Sequence, residues 1–230
     1  MTRPYRLTAR LLFPLLLLGA GACQQSAMAS ETIVAAPAAS VRADEPAGRK
    51  QAIFAGGCFW GVEGVFSHVK GVTSAVSGYH GGTKAQATYN KVTSGDTGHA
   101  EAVRVTYDPA VVRYDELLRI FFSVVADPTL KNRQGPDVGT QYRAALVPMN
   151  AEQRKVAAAY LAQMKRSGVW DAPVVTGIEA YRAFYPAEVS HQDFMVKNPS
   201  HAYIRAWDAP KVRGLAKLYP ASYKKAFTKG

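Results

Sequence analysis

Short apolar runs alternate along this chain with longer stretches of helical period. Residues 51–54 (Gln-Ala-Ile-Phe) read as an apolar strand, a glycine pair follows, and 59–66 is compatible with a helix. Residues 72–79 read as a second strand running into a glycine-marked loop, and 102–107 as a half-buried strand stopped by Asp108-Pro109. From 114 to 125, Leu117, Leu118, Phe121, Phe122 and Val125 recur at helical spacing, which predicts one helix with the phenylalanine pair in the core. A polar loop over 126–139 precedes a strand over 142–147, a helix over Ala151–Arg166 stopped at Gly168, and a strand over 173–178. The rest is loop-rich, with a short helix over 212–218. This order predicts an α+β protein in which helices pack on a mainly antiparallel sheet, a two-layer α/β sandwich.

The first 48 residues do not share the pattern. Residues 1–10 carry Arg3, Arg6 and Arg10 without an acid, and 11–22 (LLFPLLLLGAGA) is an apolar run too short for a permanent membrane span. A signal peptide over 1–29 is therefore expected, and with it export to the periplasm. Ala20-Gly21-Ala22-Cys23 resembles the end of a lipoprotein leader, with Cys23 as a lipid anchor; Ala27-Met28-Ala29 fits ordinary cleavage before Ser30. The first reading is preferred, because it gives the exported cysteine a use. Residues 30–48, rich in Ala, Ser and Pro, read as a flexible linker, and 49–230 as one domain.

The formal net charge is +11. The basic residues are scattered, export removes the protein from nucleic acid, and no nucleic-acid motif is present, so that class of function is set aside. Attraction to an anionic membrane or to acidic, damaged proteins stays open.

Of the two cysteines, Cys58 alone belongs to the expected domain, so it cannot be a disulfide partner there. It follows Gly56-Gly57 and begins the 59–66 helix, where free N–H groups and the helix dipole favour the nucleophilic thiolate. Polar side chains that could act with it gather in two glycine-dense loops, 89–101 and 132–142. Three chemistries compete. A thiol hydrolase would pair Cys58 with one of His68, His80, His99, His191 or His201, and spacing does not choose among them. His99-Ala100-Glu101 has the H-x-E form of a zinc deaminase, but no cysteine pair follows, so no metal site of that kind is expected. A redox enzyme attacking an oxidised sulfur needs a protonated carboxyl and phenols around the departing oxygen, which Glu101, Tyr89 and Tyr142 supply. A non-catalytic envelope lipoprotein that binds partners is the remaining alternative.

Gly57-Cys58-Phe59-Trp60-Gly61, Gly95-Asp96-Thr97-Gly98-His99-Ala100-Glu101, Asn132-Arg133-Gln134-Gly135 and Gly139-Thr140-Gln141-Tyr142-Arg143 together resemble the peptide methionine sulfoxide reductase type A family, over about residues 50–223. The resemblance implies that Cys58 attacks the sulfoxide sulfur and becomes a sulfenic acid, that Glu101 protonates the oxygen, and that Tyr89 and Tyr142 hydrogen-bond it. It implies a substrate site with Phe59 and Trp60 against the methyl group and Asp137 orienting the substrate backbone. The S epimer of methionine sulfoxide, free or in oxidised proteins, is the implied substrate, with no cofactor. Two departures matter: the C-terminal residues hold no resolving cysteine, and Thr93 stands where some members have another. An external thiol, such as a thioredoxin-like protein, is therefore the expected reductant. Ser190 replaces a common tyrosine, and His191, Gln192 and Asp96 read as structural polar groups. A monomer is expected, with a ferredoxin-like core and a loop-rich C-terminal extension.

Overall fold

Five consecutive buried residues end the first strand of the computed structural model, which describes Met1 and residues 33–230. The expected leader, Cys23 and the Ala29 cut lie outside the described residues. The chain runs β1 (Lys50–Gly56), α1 (Phe59–Ser67), β2 (Val72–His80), α2 (Tyr89–Val92), β3 (Ala100–Tyr107), α3 (Tyr114–Ile120), β4 (Arg133–Gln134), β5 (Asp137–Val138) and β6 (Ala144–Val147). It continues through α4 (Ala151–Arg166), β7 (Gly177–Ile178), β8 (Phe184–Pro186), α5 (Phe194–Lys197) and α6 (Ala209–Leu218). The main sheet has the order β7-β6-β1-β3-β2-β8, antiparallel except for β6 with β7, and β4 and β5 form a separate small hairpin. The mixed α/β architecture expected from the element order is the one observed.

Alternation along β3 decides where the site lies. Val103, Val105 and Tyr107 join the main core, together with Phe54, Phe66, Leu117 and Phe121, while Ala100 and Ala102 join a smaller cluster with Ile53 and Val147. Glu101 has the parity of Val103, so its carboxyl enters the helix-covered face. Helix α1 is buried almost all round. Two glycines permit this: a Cβ at Gly61 would sit 2.3 Å from Asp208 Oδ1, and one at Gly64 2.2 Å from Met195 Cε. The C-terminal extension thus closes over the outer side of the helix that carries Cys58.

Several expected elements take different forms. The helix begun at Tyr114 changes to a π-helical turn over Phe121–Val125. Ser123 Oγ donates to the Arg119 carbonyl at 2.6 Å, competing for the acceptor an α-turn would use. The strand expected over 173–178 shrinks to Gly177–Ile178, because Val175 N and Thr176 N donate to Pro128 O instead of a ladder. The segment expected to be a linker is packed from Val34 onward. Val34 N and Ala36 N donate to Ser123, Ala43 N donates to Asp115, Tyr160 Oη donates to Pro37 O, and Tyr107 Oη donates to Glu45. Its backbone is satisfied by side chains of α3, α4 and their surroundings, so the ordering needs no apolar period and composition did not reveal it.

Glu63, fully buried in α1, lies against Ser77 of β2 and Asp193. Burial, with the Asp193 charge second, pushes its carboxyl up to about 8. Since the folded value lies above the unfolded one, the stabilisation is complete below about 4.5 and is lost as pH rises through about 8. Glu63→Gln is therefore expected to flatten the fall in Tm across this window; thermal unfolding of both proteins at intervals of pH measures it, and parallel curves would refute the buried acid.

Candidate active site

The turn into α1 places the cysteine. Gly57 adopts φ +90°, and a Cβ there would lie 2.6 Å from Gln134 Cβ. Gln134 is itself fixed, accepting from Asp127 N and donating to Asp127 O, both at 2.9 Å. Cys58 follows as the N-cap of α1, with its carbonyl accepting from Gly61 N at 3.2 Å. It is partly exposed and is the one free cysteine among the described residues.

Glu101 reaches the same point from the sheet. Its Oε2 accepts the Phe59 N–H at 3.0 Å, satisfying a donor that a helix start leaves without an internal partner. Burial is the main cause that pushes its carboxyl up to about 8, the Phe59 bond opposes the rise, and the charges of Asp137 and Asp208 add to it. Near neutral pH the group is a neutral acid. Oε2 accepts from the backbone, which leaves Oε1 as the oxygen available to carry the proton.

The two polar loops meet as expected. Thr140 Oγ1 donates to Gly95 O at 2.5 Å, and Gln141 Nε2 donates to Thr93 O at 3.2 Å. The glycines serve this clasp: a Cβ at Gly139 would fall 2.2 Å from Gln141 Oε1. The following Tyr142 lies in a 3-10 turn rather than in the expected strand, and so turns toward the site. Tyr89 opens α2. Burial pushes the Tyr89 phenol up to about 12 and the Tyr142 phenol higher still, with Glu101 the next cause in each, so both remain O–H donors.

An aromatic wall stands beside them. Trp60 stacks on Phe194 with centroids 3.7 Å apart and donates from Nε1 to His191 Nδ1 at 3.2 Å. His191 in turn stacks on Tyr89 at 4.2 Å, and burial lowers its pKa, so it stays neutral and holds the wall in place. Gln192 and Asp96 are structural, as expected: Gln192 brackets Ser77, and Asp96 braces its turn through Ser94. Asp137 is half-buried near Glu101 and accepts from Tyr203 Oη.

Two expectations change. Phe59 has no exposed surface; its ring packs against Tyr79, Tyr89 and His191, so it supports the wall from behind. The Cys58 thiol is raised, not lowered. Burial dominates, the Glu101 and Asp208 charges add to it, and only the Trp60 N–H pulls the other way. The helix start is outweighed by burial first and by its acidic neighbours second, and the resting group is a thiol. No described histidine hydrogen-bonds to Cys58. His99 is held by Gly82 and Thr83, His80 faces Glu179, and His68 faces Lys224 O, so the hydrolase pairing does not form.

Three contributors went unassigned in the sequence. Glu188 accepts from Tyr89 N at 2.9 Å and from Tyr79 Oη at 2.8 Å, anchoring the start of α2. Tyr203 holds Asp137, and Asp208 is buried beside Gly61. All three act across more than 60 residues of sequence, and no local pattern marks them.

A family model described as peptide methionine sulfoxide reductase matches residues 50–222. The chain belongs to this family. Its relatives include peptide methionine sulfoxide reductase MsrA 2 of Mesorhizobium japonicum, 53% identical over 176 residues, covering 76% of this chain and 90% of that protein. Peptide methionine sulfoxide reductase MsrA of Granulibacter bethesdensis is 48% identical over 166 residues, covering 72% of this chain and 89% of that one. Among solved structures, reduced Mxr1 from Saccharomyces cerevisiae matches with a TM-score of 0.61 at 33% identity, covering 70% of this chain and 92% of that chain. Methionine sulfoxide reductase A of Corynebacterium diphtheriae matches at 0.55 and 32%, covering 67% and 77%.

In this reductase-family site the Gly57 turn sets the position of the sulfur. Gly57→Ala is expected to cost about 1–3 kcal/mol from backbone strain, and to slow single-turnover chemistry by moving Cys58 away from Glu101. Urea denaturation and rapid-quench kinetics measure the two effects; parent-like values for both would mean that Gln134 gives way freely.

Proposed function

We propose that this chain is a peptide-methionine (S)-S-oxide reductase that repairs oxidised proteins, with Cys58 as nucleophile and Glu101 as proton donor. The observation that carries the assignment of roles is the buried, neutral Glu101 carboxyl bonded to the N–H of the residue after Cys58. A sulfoxide is a poor electrophile until its oxygen is protonated, so a carboxyl kept neutral at this point is the chemical requirement. As the Cys58 sulfur forms a bond to the substrate sulfur, Glu101 gives its proton to the sulfoxide oxygen and recovers one from the thiol. The substrate S–O bond breaks, the oxygen bonds to the Cys58 sulfur as the transient S–S bond between Cys58 and the substrate is cleaved, and a sulfenic acid on Cys58 and methionine as the sulfide result. Two electrons move from the cysteine sulfur to the substrate sulfur. Tyr89 and Tyr142 donate hydrogen bonds to the oxygen as its charge grows, Trp60 faces the methyl group, and Asp137 orients the substrate backbone.

Cys58 is the single cysteine of residues 33–230, which favours resolution of the sulfenic acid by an external thiol, of which a thioredoxin-like protein is the natural class. The leader-like residues 1–22 support export, with Cys23 as the proposed lipid anchor and the periplasm as the working compartment.

Incubation with the separate S and R epimers of blocked methionine sulfoxide, with dithiothreitol as reductant, should consume the S epimer alone. One turnover without reductant should add a single oxygen to Cys58 by intact mass, and Cys58→Ser should neither turn over nor gain it; equal use of both epimers, or an active serine variant, defeats the assignment.

The pH profile follows from the same group. Glu101 is competent while protonated, so the single-turnover rate should decline as pH rises through about 8. Glu101→Gln should be slower by about a hundredfold and lose that limb. An unchanged profile in the variant would move proton donation to a tyrosine.

A further inference from the structure

Most of the net positive charge of the described residues falls at one end of the chain, where acids are nearly absent. From residue 205 onward there are seven basic residues and a single acid, the buried Asp208. Arg213 and Lys217, one turn apart on α6, are exposed, as is Lys225, and none of the three has an ion pair. Two hollows lie between them. One, of about 520 Å³, has Val196, Ile204, Val212 and Phe227 in its lining, with Arg213 and Lys225 alongside. The other, of about 300 Å³, is lined by Ile33, Pro210 and Leu218, with Arg213 and Lys217. Arg213 belongs to both, so the two form one surface. On it Val196 is 44% and Ile33 39% exposed, apolar groups interleaved with cations.

We propose that this α6 face docks onto an anionic phospholipid bilayer. Basic residues near an anionic leaflet are attracted to it, and apolar side chains between them can enter the headgroup boundary. The course of the chain favours the same occupant. Ile33, where the continuous described structure begins, packs on Gly214 of α6, and Cys23 is ten residues earlier in the sequence, within about 36 Å when extended. An acyl chain there would hold the domain near a membrane, and a basic apolar face supplies the second signal that stable attachment requires. A second copy of this face would bring like charges together, which disfavours self-association through it. Orientation also suits the reaction. His68, the C-cap of α1, lines the larger hollow, while Cys58 is at the helix's other end, about 15 Å away along its axis. Docking by α6 therefore turns the catalytic end away from the lipid and toward oxidised proteins.

The test is cosedimentation of the full chain with phosphatidylcholine vesicles, with and without about one third phosphatidylglycerol. Binding to the anionic vesicles should be at least about tenfold tighter and should fade with added salt. The triple variant Arg213→Glu, Lys217→Glu, Lys225→Glu should lose that increment while reducing free methionine sulfoxide at the parent rate, which also shows that it folds. Lys165→Glu with Arg166→Glu, at the end of α4, should keep it. Equal binding of the parent to both vesicles overturns the proposal, as does an anionic preference that survives in the triple variant, which would assign the attraction to the arginines of residues 1–10.

Discussion

The hydrogen bond from the Phe59 N–H to Glu101 is the contact on which the arrangement of the site, and with it the chemistry proposed above, depends. It joins the start of the cysteine helix to a central strand of the sheet, and so fixes how the Cys58 turn sits against the Glu101 carboxyl. It also limits itself. One N–H favours the carboxylate, but removal from water disfavours it by more, so the group stays protonated. A second strong donor here would turn Glu101 into an anion and remove its ability to supply a proton.

The same balance governs Cys58. A helix start in open solvent would favour the thiolate. Here burial and the acids around it hold the sulfur as a thiol. Sulfur and carboxyl thus rest as neutral acids side by side, and one proton has to move only when a sulfoxide oxygen is present to accept it.

Around this pair the fold spends long-range contacts on holding aromatic groups still. His191 is shared between Trp60 and Tyr89, and Glu188 anchors the backbone of Tyr89 from about a hundred residues away. The C-terminal extension is loop-rich, yet it supplies Phe194, Tyr203 and Asp208 to the outer side of α1, while residues 34–45 brace α3 and α4 from the far side.

Local rules were enough to read most of the elements and to single out the polar groups that the fold gathers around Cys58. Ala151–Arg166 was legible because its apolar positions and Gly168 stop are encoded within a few residues, and the structure adds an Asn150 cap. Cys58, Glu101, Tyr89 and Tyr142 were legible because each lies in a glycine-marked motif whose chemistry restricts the residue type. What the sequence left open depended on partners distant along the chain. The direction of the Cys58 shift follows from burial in the folded core and then from Glu101 and Asp208, the burial of Phe59 from rings near residues 79, 89 and 191, and the shortening of β7 from the Pro128 carbonyl. Ordering of residues 34–48 came from side-chain acceptors on α3 and α4, which leave no period in the segment itself. A sequence determines which groups a chain can offer and which local shapes it prefers; desolvation and charge proximity, which set how those groups behave, exist only once the tertiary structure has brought them together.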